Sequence, residues 1–220
     1  MTKGTQRRLA AIVSAYVVGN SRLMGMAEAR THARLQAQFS TLVKPKIDAH
    51  GGRVVKLMGD GLLAEFPSVI DAVNWAVAVQ QGVAEFDADE PDDQRIEYRI
   101  GVNLGDVIVD GEDIFGDGVN VAARLQEIAN PGGVCISDKV HTEVQGKLGV
   151  EFTDGGAEQL KNIASPVRVW RWTIEGRGGP APMSSTTVPL PLPDKPSIAV
   201  LPFDNMSGDP EQDFFCRWHL

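Results

Sequence analysis

The 220-residue sequence has only two cysteines, and it lacks any long apolar run. Cys135 and Cys216 lie far apart and fit neither zinc-ligand nor redox spacing, so we expect no disulfide framework and a reducing, cytoplasmic environment. No apolar stretch reaches the roughly 20 residues that a transmembrane helix needs, so no membrane association is expected.

Positive charge is also scarce. The 21 Lys and Arg are outnumbered by 29 Asp and Glu, which gives a formal net charge of -8. A surface of this sign does not attract nucleic acid or anionic lipid, so neither is expected as a partner. Any polyphosphate ligand must be held by a local cluster of Lys and Arg or by a metal ion. Hydrophobic residues, at 43%, still allow a core of ordinary size.

Several common catalytic signatures are missing as well. The sequence has no Gly-x-x-x-x-Gly-Lys-Ser/Thr phosphate loop and no Gly-x-Ser-x-Gly nucleophile elbow. Its four histidines are too scattered to indicate a metal site or a catalytic triad. These absences argue against phosphate-loop nucleotidases and against serine hydrolases of the elbow type.

The N-terminal stretch has two interpretations. Arg7-Arg8 precedes the apolar run 9–19 (LAAIVSAYVVG), an arrangement that resembles a short signal peptide. The alternative is a buried strand after a basic N-terminus, and the content of Ala, Ile and Val suits a central strand. We favour the strand, because no convincing small-x-small cleavage site precedes the next helix.

Hydrophobic periodicity and turn residues predict the remaining elements. A helix follows Asn20-Ser21 and is bent or broken near Pro45, a hairpin turns at 59–61, and a second helix covers about 68–86. An acidic loop (87–93) follows. The later predicted elements are a strand pair (96–102 and 106–109) joined through 103–105, a glycine-rich loop (111–118), a helix (119–129), a strand (134–137), a short helix (138–144) and two strands (150–153 and 167–173).

This order of elements predicts an α+β fold, a sandwich with helices packed on one sheet. From residue 175 to 196 the composition changes to Gly, Pro, Ser and Thr, which is typical of a linker. Residues 197–203 (SIAVLPF) resemble the first strand of another domain. We therefore predict one domain over 1–174, a linker over 175–196, and a truncated fragment of a second domain over 197–220.

The hairpin KLMGDG (56–61) places the carboxylate of Asp60 at the tip of a rigid turn. A carboxylate in such a place can bind Mg²⁺. Aspartates in turns more often serve the turn alone, so this position by itself does not decide the question.

Three further residues are candidates for ligand binding. Asn120 and Arg124 are four residues apart, so they share one face of a helix close to its anion-favouring N-terminus. An amide and a guanidinium there can hold a sugar and a phosphate, although a capping Asn and a solvated Arg are the simpler interpretation. Lys161 precedes the last strand, where a lone lysine normally serves solvation.

Together these segments resemble the bacterial class III adenylate cyclases over about residues 7–174. The most specific stretches are KLMGDGLLAEFPS, RIGVNLGDVIVDGEDIFGDGVNVAARL and LKNIASPVRVWRW. The resemblance implies a ferredoxin-like-derived sandwich, in which helices pack on a mostly antiparallel sheet. It also implies that two chains pair head to tail, as a homodimer or heterodimer, and share each site for ATP.

In that family one chain holds two metal ions, Mg²⁺ or Mn²⁺, through two aspartates, and the other chain grips the nucleotide. The metals promote attack of the ribose 3′-hydroxyl on the α-phosphate. Carried over to this sequence, the matching residues are Asp60 for the second metal aspartate, Lys56 and Asp113 for the base-selecting pair, Asn120 for the ribose, Arg124 for the transition state, Lys161 for the phosphates, and the backbone from Gly19 to Ser21 for the triphosphate.

The sequence departs from the family pattern at Tyr16. The family reads Ala-Asp-Val-Val-Gly-Tyr-Ser where this chain reads AYVVGNS (15–21), so Tyr16 replaces the first metal aspartate. A phenol with a pKa of about 10 is neutral and a poor Mg²⁺ ligand, and it is also larger than a carboxylate. A homodimer carries the defect in both sites. We therefore expect cyclase activity that is lowered by several orders of magnitude.

A second departure lies in the tail. Residues 195–214 resemble the start of a TolB-like, repeat-containing region that is often fused to these cyclases, and relatives continue with Phe-Ala-Asp-Gly-Ile. Here the chain ends in FCRWHL (215–220). The codons TGC CGA TGG CAT CTG encode the last five residues and, read one base later, encode Ala-Asp-Gly-Ile. The sequence therefore predicts a frameshift that truncated a longer protein.

Three functional hypotheses remain open from sequence. In the first, the chain is an adenylate cyclase with weak or no activity as a homodimer. In the second, it is a non-catalytic pseudo-cyclase that binds nucleotide or only dimerises. The third possibility is the substrate-binding half of a heterodimer, completed by a partner that supplies both aspartates. A diguanylate cyclase is disfavoured, because Gly51-Gly52 is followed by Arg53-Val54 and not by the acidic signature of that class.

Overall fold

The computed structural model describes residues 6–174, and these form a single sheet with helices on both sides. The strands are β1 (Gln6–Val17), β2 (Arg53–Met58), β3 (Gly61–Phe66), β4 (Tyr98–Asp110), β5 (Asp113–Phe115), β6 (Gly133–Ser137), β7 (Thr153–Glu158) and β8 (Val167–Thr173). The helices are α1 (Asn20–Gln38), α2 (Lys44–Ala49), α3 (Val69–Phe86), α4 (Asp117–Ile128) and α5 (Asp138–Val144).

Seven of the eight strands run in the order β2-β3-β1-β4-β6-β8-β7, and the eighth, β5, pairs with the far end of β4. Within the described residues, β4 and β6 are parallel, whereas the other strand pairs are antiparallel. This mostly antiparallel sheet with packed helices confirms the predicted α+β class.

The side chains of β1 alternate between two apolar layers, as the two-residue period of a strand requires. Ala11, Val13 and Ala15 belong to the larger core, which also contains the buried residues of α3 and α5. Ala10 and Ile12 point the other way, into a smaller core with Ala122 of α4. We call these two sides the α3 face and the α4 face. The run 9–17 thus lies in a central strand, as predicted.

Two glycines of β4 let α4 approach the sheet closely. A Cβ atom on Gly101 would lie 2.3 Å from the carbonyl oxygen of Ala122, and one on Gly105 would lie 2.9 Å from the Cα atom of Gly118. Between the two glycines, the Asn103 side chain donates a hydrogen bond of 3.0 Å to the Gly118 carbonyl. Close packing and this bond fix the helix that presents Asn120 and Arg124.

The predicted strand pair around residues 103–105 is wrong, because β4 is one continuous strand. Asn-Leu-Gly is typical of a turn, but here the asparagine and the glycine serve contact with α4. Glycine inside a strand often marks such a close approach of another backbone. The predicted loop 111–118 also contains a short strand, β5, and the predicted strand at 150–153 begins only at Thr153.

Before the predicted break at Pro45 the α-helical hydrogen-bond pattern is interrupted, although the backbone angles stay helical. α1 ends at Gln38, a π-helical segment covers Phe39–Val43, and α2 follows with Pro45 in its first turn, where proline is tolerated. Among the described residues no helix is both long enough and apolar enough to span a membrane. The predicted linker over 175–196 and the predicted fragment over 197–220 lie outside the described residues, so both remain predictions.

Candidate active site

The β2–β3 hairpin fixes Asp60 beside the end of β1. Gly59 adopts a left-handed φ of 64°, which allows the tight turn that the sequence predicted. The carbonyl of Asp60 then accepts a 3.0 Å hydrogen bond from the backbone N–H of Val17. The turn is therefore tied through its backbone to the strand residue that follows Tyr16.

Tyr16 lies directly beside Asp60. It pairs with Gly61 across β1 and β3, and a Cβ atom on Gly61 would lie only 3.1 Å from Cδ2 of the tyrosine ring. The ring thus packs over the glycine while 42% of the residue stays exposed. The pKa of the phenol is raised, first by its hydrogen bond with the Asp60 side chain, then by burial and by the Asp60 charge.

These two residues do not fit the two-metal site that the family implies. The donor set is one carboxylate and one phenol that holds its proton more tightly than a free tyrosine. In residues 6–174 no group of three or more His, Cys, Asp or Glu side chains is arranged to hold a metal ion. Mg²⁺ requires near-octahedral oxygen ligands at short distance, which a neutral phenol supplies poorly.

An alkaline titration should show that both tyrosines of the chain resist ionisation while it is folded. Tyr98 also has a raised pKa, because it is buried and faces Asp87. A raised pKa stabilises the fold below the unfolded value of 10.0, and this contribution is lost as the pH rises through the folded value. We therefore expect less phenolate absorbance at pH 10 from the folded chain than from the unfolded chain, and an increase in this absorbance on unfolding.

The variants Asp60→Asn and Tyr16→Phe assign the transitions in this titration. Asp60→Asn should return one tyrosine towards its ordinary pKa, since Asp60 is the first cause of the shift at Tyr16. Tyr16→Phe should remove that same transition and leave the one from Tyr98. A transition near pH 10 in the folded wild type that Tyr16→Phe abolishes would contradict the contact with Asp60.

A β-bulge aims Lys56 at the α4 face. Val54 pairs with Ala64, but Lys56 pairs with Leu63, so Val55 is an extra residue in β2. Without this bulge, alternation would place Lys56 on the α3 face with Val54. Leu63 packs with the α4-face core, and Lys56 therefore points to that side.

Lys56 and Asp113 meet on the α4 face although they are 57 residues apart in sequence. Lys56 Nζ lies 3.2 Å from Asp113 Oδ2, and the two side chains are 54% and 31% exposed. The hydrogen bond from Lys56 is the largest factor that lowers the pKa of Asp113. Asp113 is consequently an ionised acceptor at neutral pH, and both groups can reach a ligand.

Asn120 and Arg124 share the outer side of α4, as their spacing predicted. Asn120 is exposed, and Arg124 forms an ion pair with Glu127 one turn further on. The Arg124 side chain remains 27% exposed. Glu127 was not singled out from sequence, and a glutamate three residues after an arginine on a helix is too common to signal a role.

Lys161 occupies a tight turn beside the end of α4. Asn162 adopts a positive φ of 62°, and Ile163 N–H donates to the Leu160 carbonyl at 3.1 Å. Leu160 is buried in the cluster that contains Leu125 of α4, whereas Lys161 is exposed. The turn therefore anchors its leucine below the helix and leaves the lysine free to reach solvent.

The segment from Gly19 to Ser21 starts α1. Gly19 has φ 62° and ψ 29°, and no side chain caps this helix start. Its first N–H groups are thus available to an anion. An adjoining pocket of about 390 Å³ is lined by Tyr16, Val17, Val18, Gly19, Arg99, Gln126 and Glu127.

Arg99 is a pocket residue that sequence reasoning missed. It pairs with Tyr16 across β1 and β4, and its Nη1 donates 3.1 Å to the Glu127 carbonyl at the end of α4. Its buried Nε has no hydrogen-bond partner within the described chain. A single arginine in a strand gives no signal in sequence, since only strand pairing brings it next to residue 16.

The structure therefore brings the predicted residues into distinct groups. Tyr16 lines the pocket together with Gly19 and also interacts with Asp60, and Lys56 and Asp113 lie together near β5. Asn120 and Arg124 lie on α4, and Lys161 lies in the turn before β8.

Comparison with curated proteins finds a close relative in Rhizobium meliloti (strain 1021). The chain is 50% identical over 210 residues to "Putative adenylate cyclase 3". This match covers 96% of this chain and 36% of that protein. It also matches "Uncharacterized protein R02095" of the same organism at 27% identity, over 77% of this chain and 18% of that protein. The chain thus spans roughly a third or less of these relatives.

Solved structures share the fold. A protein from Silicibacter pomeroyi described as "Adenylate/Guanylate Cyclase/Hydrolase" is 43% identical, with a TM-score of 0.75 over 78% of this chain and 100% of that one. The adenylyl cyclase CyaB from P. aeruginosa superposes with a TM-score of 0.67 over 79% of this chain and 97% of that one, at 21% identity. The second likeness supports the fold alone.

The family match agrees with the extent of the domain in the structure. The family described as "Adenylate and Guanylate cyclase catalytic domain" matches residues 7–176, which include all of the strands and helices described above except the first residue of β1. The chain therefore belongs to the adenylate and guanylate cyclase catalytic domain family, the class III nucleotide cyclases.

Proposed function

We propose that this chain binds ATP in a site shared between two cyclase domains, and that its own homodimer forms cyclic AMP and pyrophosphate only weakly. The observation that carries the choice of ATP is the contact between Lys56 and Asp113. This contact depends on two features of the sheet. The bulge in β2 orients Lys56, and the short strand β5 carries Asp113.

The chemistry of this pair favours adenine over guanine. The ionised Asp113 accepts a hydrogen bond from the exocyclic amine of adenine, and the Lys56 ammonium donates to a ring nitrogen. Guanine presents a carbonyl oxygen and a ring N–H at the corresponding positions. A GTP molecule would place its carbonyl against the carboxylate and its N–H against the ammonium, and both contacts are unfavourable.

The remaining residues have roles along the rest of the nucleotide. Asn120 orients the ribose, and Arg124 stabilises charge as the 3′-oxygen attacks the α-phosphorus and the bond to the pyrophosphate leaving group breaks. Lys161 and the backbone N–H groups from Gly19 to Ser21 bind the phosphates that leave. The proton of the 3′-hydroxyl must be removed during this attack, and a single carboxylate at Asp60 supports that step poorly.

Exposed apolar side chains support the pairing of two domains. Met58 and Tyr16 belong to one row of cross-strand neighbours on the α4 face and are 46% and 42% exposed. Phe115 of β5 is 48% exposed. Large apolar side chains left open next to candidate ligand residues are typical of a surface that another chain covers.

The contact between Tyr16 and Asp60 also favours a second candidate function. A domain whose substrate residues are in place, but whose metal position holds a phenol, suits a non-catalytic nucleotide-binding role or the substrate-binding half of a heterodimer. In that second arrangement an intact partner would supply both aspartates and the divalent ion. The chain would contribute Lys56, Asp113, Asn120, Arg124 and Lys161.

Isothermal titration calorimetry with ATP and GTP tests the proposed nucleotide. We expect ATP to bind at least about tenfold more tightly than GTP, because a hydrogen bond to a charged group contributes about 1.5–3 kcal/mol. Asp113→Asn should remove most of this preference, since an amide can also donate to the guanine carbonyl. The matched control is Asp110→Asn, an exposed aspartate that pairs with Asp113 in the same hairpin.

Either of two results would contradict the proposal. The first is equal affinity of the wild-type chain for ATP and GTP. The second is an identical loss of preference in the variants Asp113→Asn and Asp110→Asn, which would mean that the effect comes from net charge and not from the contact with Lys56.

A further inference from the structure

Helix α1 consists of two segments that meet at Ala27. The helix runs from Asn20 to Gln38, but Ala27 has φ -159° and ψ 75°, which is extended backbone. Any residue adopts this conformation without strain, so the break is a joint between 20–26 and 28–38. The first segment begins at the proposed triphosphate cradle.

The second segment, 28–38, is held firmly against the loop that follows α3. Arg30 donates to both carboxylate oxygens of Glu90, at 2.8 and 2.9 Å. Arg34 forms a 2.7 Å ion pair with Asp87, which is only 1% exposed and also accepts from Gln38. This accounts for the acidic loop that the sequence predicted, because its carboxylates bind the arginines of α1.

The first segment, 20–26, is held much more lightly. Leu23 is its one buried residue, at 3% exposure. The exposed Arg22 side chain donates to the backbone carbonyl of Asp93. Gly25 has no neighbour within 4 Å of a Cβ position, so the helix is not packed there. Hydrogen bonds that cross the joint therefore matter for the position of this segment.

Thr31 makes such a bond. Its hydroxyl donates 3.0 Å to the carbonyl of Leu23, eight residues earlier, and Thr31 itself is 4% exposed. The end of a helical segment leaves its last carbonyls without intrahelical partners. Thr31 supplies a partner for one of them, and it belongs to the firmly held segment.

We propose that Thr31 is a positioning residue that holds segment 20–26, and with it the N–H groups from Gly19 to Ser21, in place for the phosphates of a nucleoside triphosphate. This inference rests on the proposed function. Since the cradle contacts phosphates and not the base, loss of the bond weakens binding of ATP and leaves binding of adenosine unchanged.

Hydrogen exchange and calorimetry on two threonine variants test this role. Thr31→Val keeps the shape of the side chain and removes the hydroxyl, whereas Thr31→Ser keeps the hydroxyl. In Thr31→Val we expect the hydrogen-bonded amides of 20–26, from Leu23 onward, to exchange about fivefold faster, as the net value of one hydrogen bond implies, while 28–38 stays protected. ATP affinity should fall by a similar factor, and Thr31→Ser should restore both.

The variant Gly25→Ala should change the hydrogen exchange of segment 20–26 in the opposite direction. Its Cβ meets open space, and the substitution reduces the freedom of the unfolded segment, so exchange in 20–26 should slow by about twofold or more.

Two results would overturn the role of Thr31. One is unchanged exchange of 20–26 in Thr31→Val, and the other is an equal loss of affinity for ATP and adenosine, which would indicate general damage to the fold. If the wild-type chain binds no ATP at all, the proposed function fails. The exchange data still decide whether Thr31 holds the segment.

Discussion

Replacing Tyr16 by aspartate is expected to raise cyclic AMP formation by at least about 10³-fold over the wild-type homodimer. A divalent ion in a complete site contributes several kcal/mol of transition-state stabilisation, and each 1.36 kcal/mol corresponds to a factor of ten. Tyr16 lies beside Asp60 in the folded chain, so an aspartate there would place a second carboxylate next to the first. The measurement is product formed from Mg-ATP and from Mn-ATP.

The position tolerates this change. Tyr16 is 42% exposed at the end of β1, and its ring packs over Gly61, not into a core. Removing the ring therefore opens space at the pocket without leaving a buried cavity. A loss of fold is not expected, and a thermal melt of the variant should resemble that of the wild type.

Two control variants separate the effect of the size of Tyr16 from the effect of the missing carboxylate. Tyr16→Asn has the size of aspartate but no charge, so it tests whether bulk alone blocks the site. Tyr16→Phe keeps the bulk and removes the hydroxyl that interacts with Asp60. We expect both to remain inactive, because neither adds a carboxylate. Activity in Tyr16→Asn equal to that of Tyr16→Asp would show that the phenol acts by size.

A wild-type chain as active as the aspartate variant would contradict the argument about the metal. Another group would then have to replace the missing carboxylate. Failure of the aspartate variant, with ATP binding intact, would mean that decay of the site extends beyond residue 16.

Most of the helices, strands and turns that position the site could be predicted from the local sequence. The hairpin at Gly59, the helix from Val69 to Phe86 and the short helix after Ser137 each have strong signals in turn residues or apolar spacing. Local rules failed at β4, where Asn103 and Gly105 are typical of a turn. There, contact with α4 overrides the preference, and nothing within those few residues indicates that a helix will cover them.

The contacts of the site were less accessible to sequence reasoning than the residues. Lys56 and Asp113 were selected by resemblance, but their 3.2 Å contact depends on an extra residue at Val55 that no periodicity revealed. Arg99 escaped notice because its importance arises from pairing with Tyr16 across strands. A single sequence gives the residue types of a site, whereas register and bulges, which are properties of the whole sheet, decide which of them meet.

The second large effect concerns sharing of the site between chains. The double variant Tyr16→Asp/Arg124→Ala carries both proposed metal aspartates but lacks the proposed transition-state arginine, and the wild-type chain carries the opposite defect. Each should be inactive alone, because loss of such an arginine costs about 10³-fold or more. A mixed dimer contains one complete site, so mixing the two inactive chains should produce activity.

The expected size of this gain follows from symmetry. In an equal mixture about half of the dimers are mixed, and each mixed dimer has one complete site of two, so activity should approach about a quarter of that of the Tyr16→Asp homodimer. The control mixture pairs the double variant with Arg124→Ala alone and should stay silent, because no arginine is present at position 124 in either chain.

Arg124 is free enough for this role. In the single chain it pairs with Glu127, but the two side chains are 27% and 51% exposed, and exposed ion pairs contribute only about 0–1 kcal/mol. Arg124 can therefore exchange Glu127 for a phosphate at little cost. Alanine is a good helix former, so Arg124→Ala should leave α4 folded. An active double variant would exclude Arg124 as a catalytic residue, and a silent mixture of two folded chains would exclude a shared site.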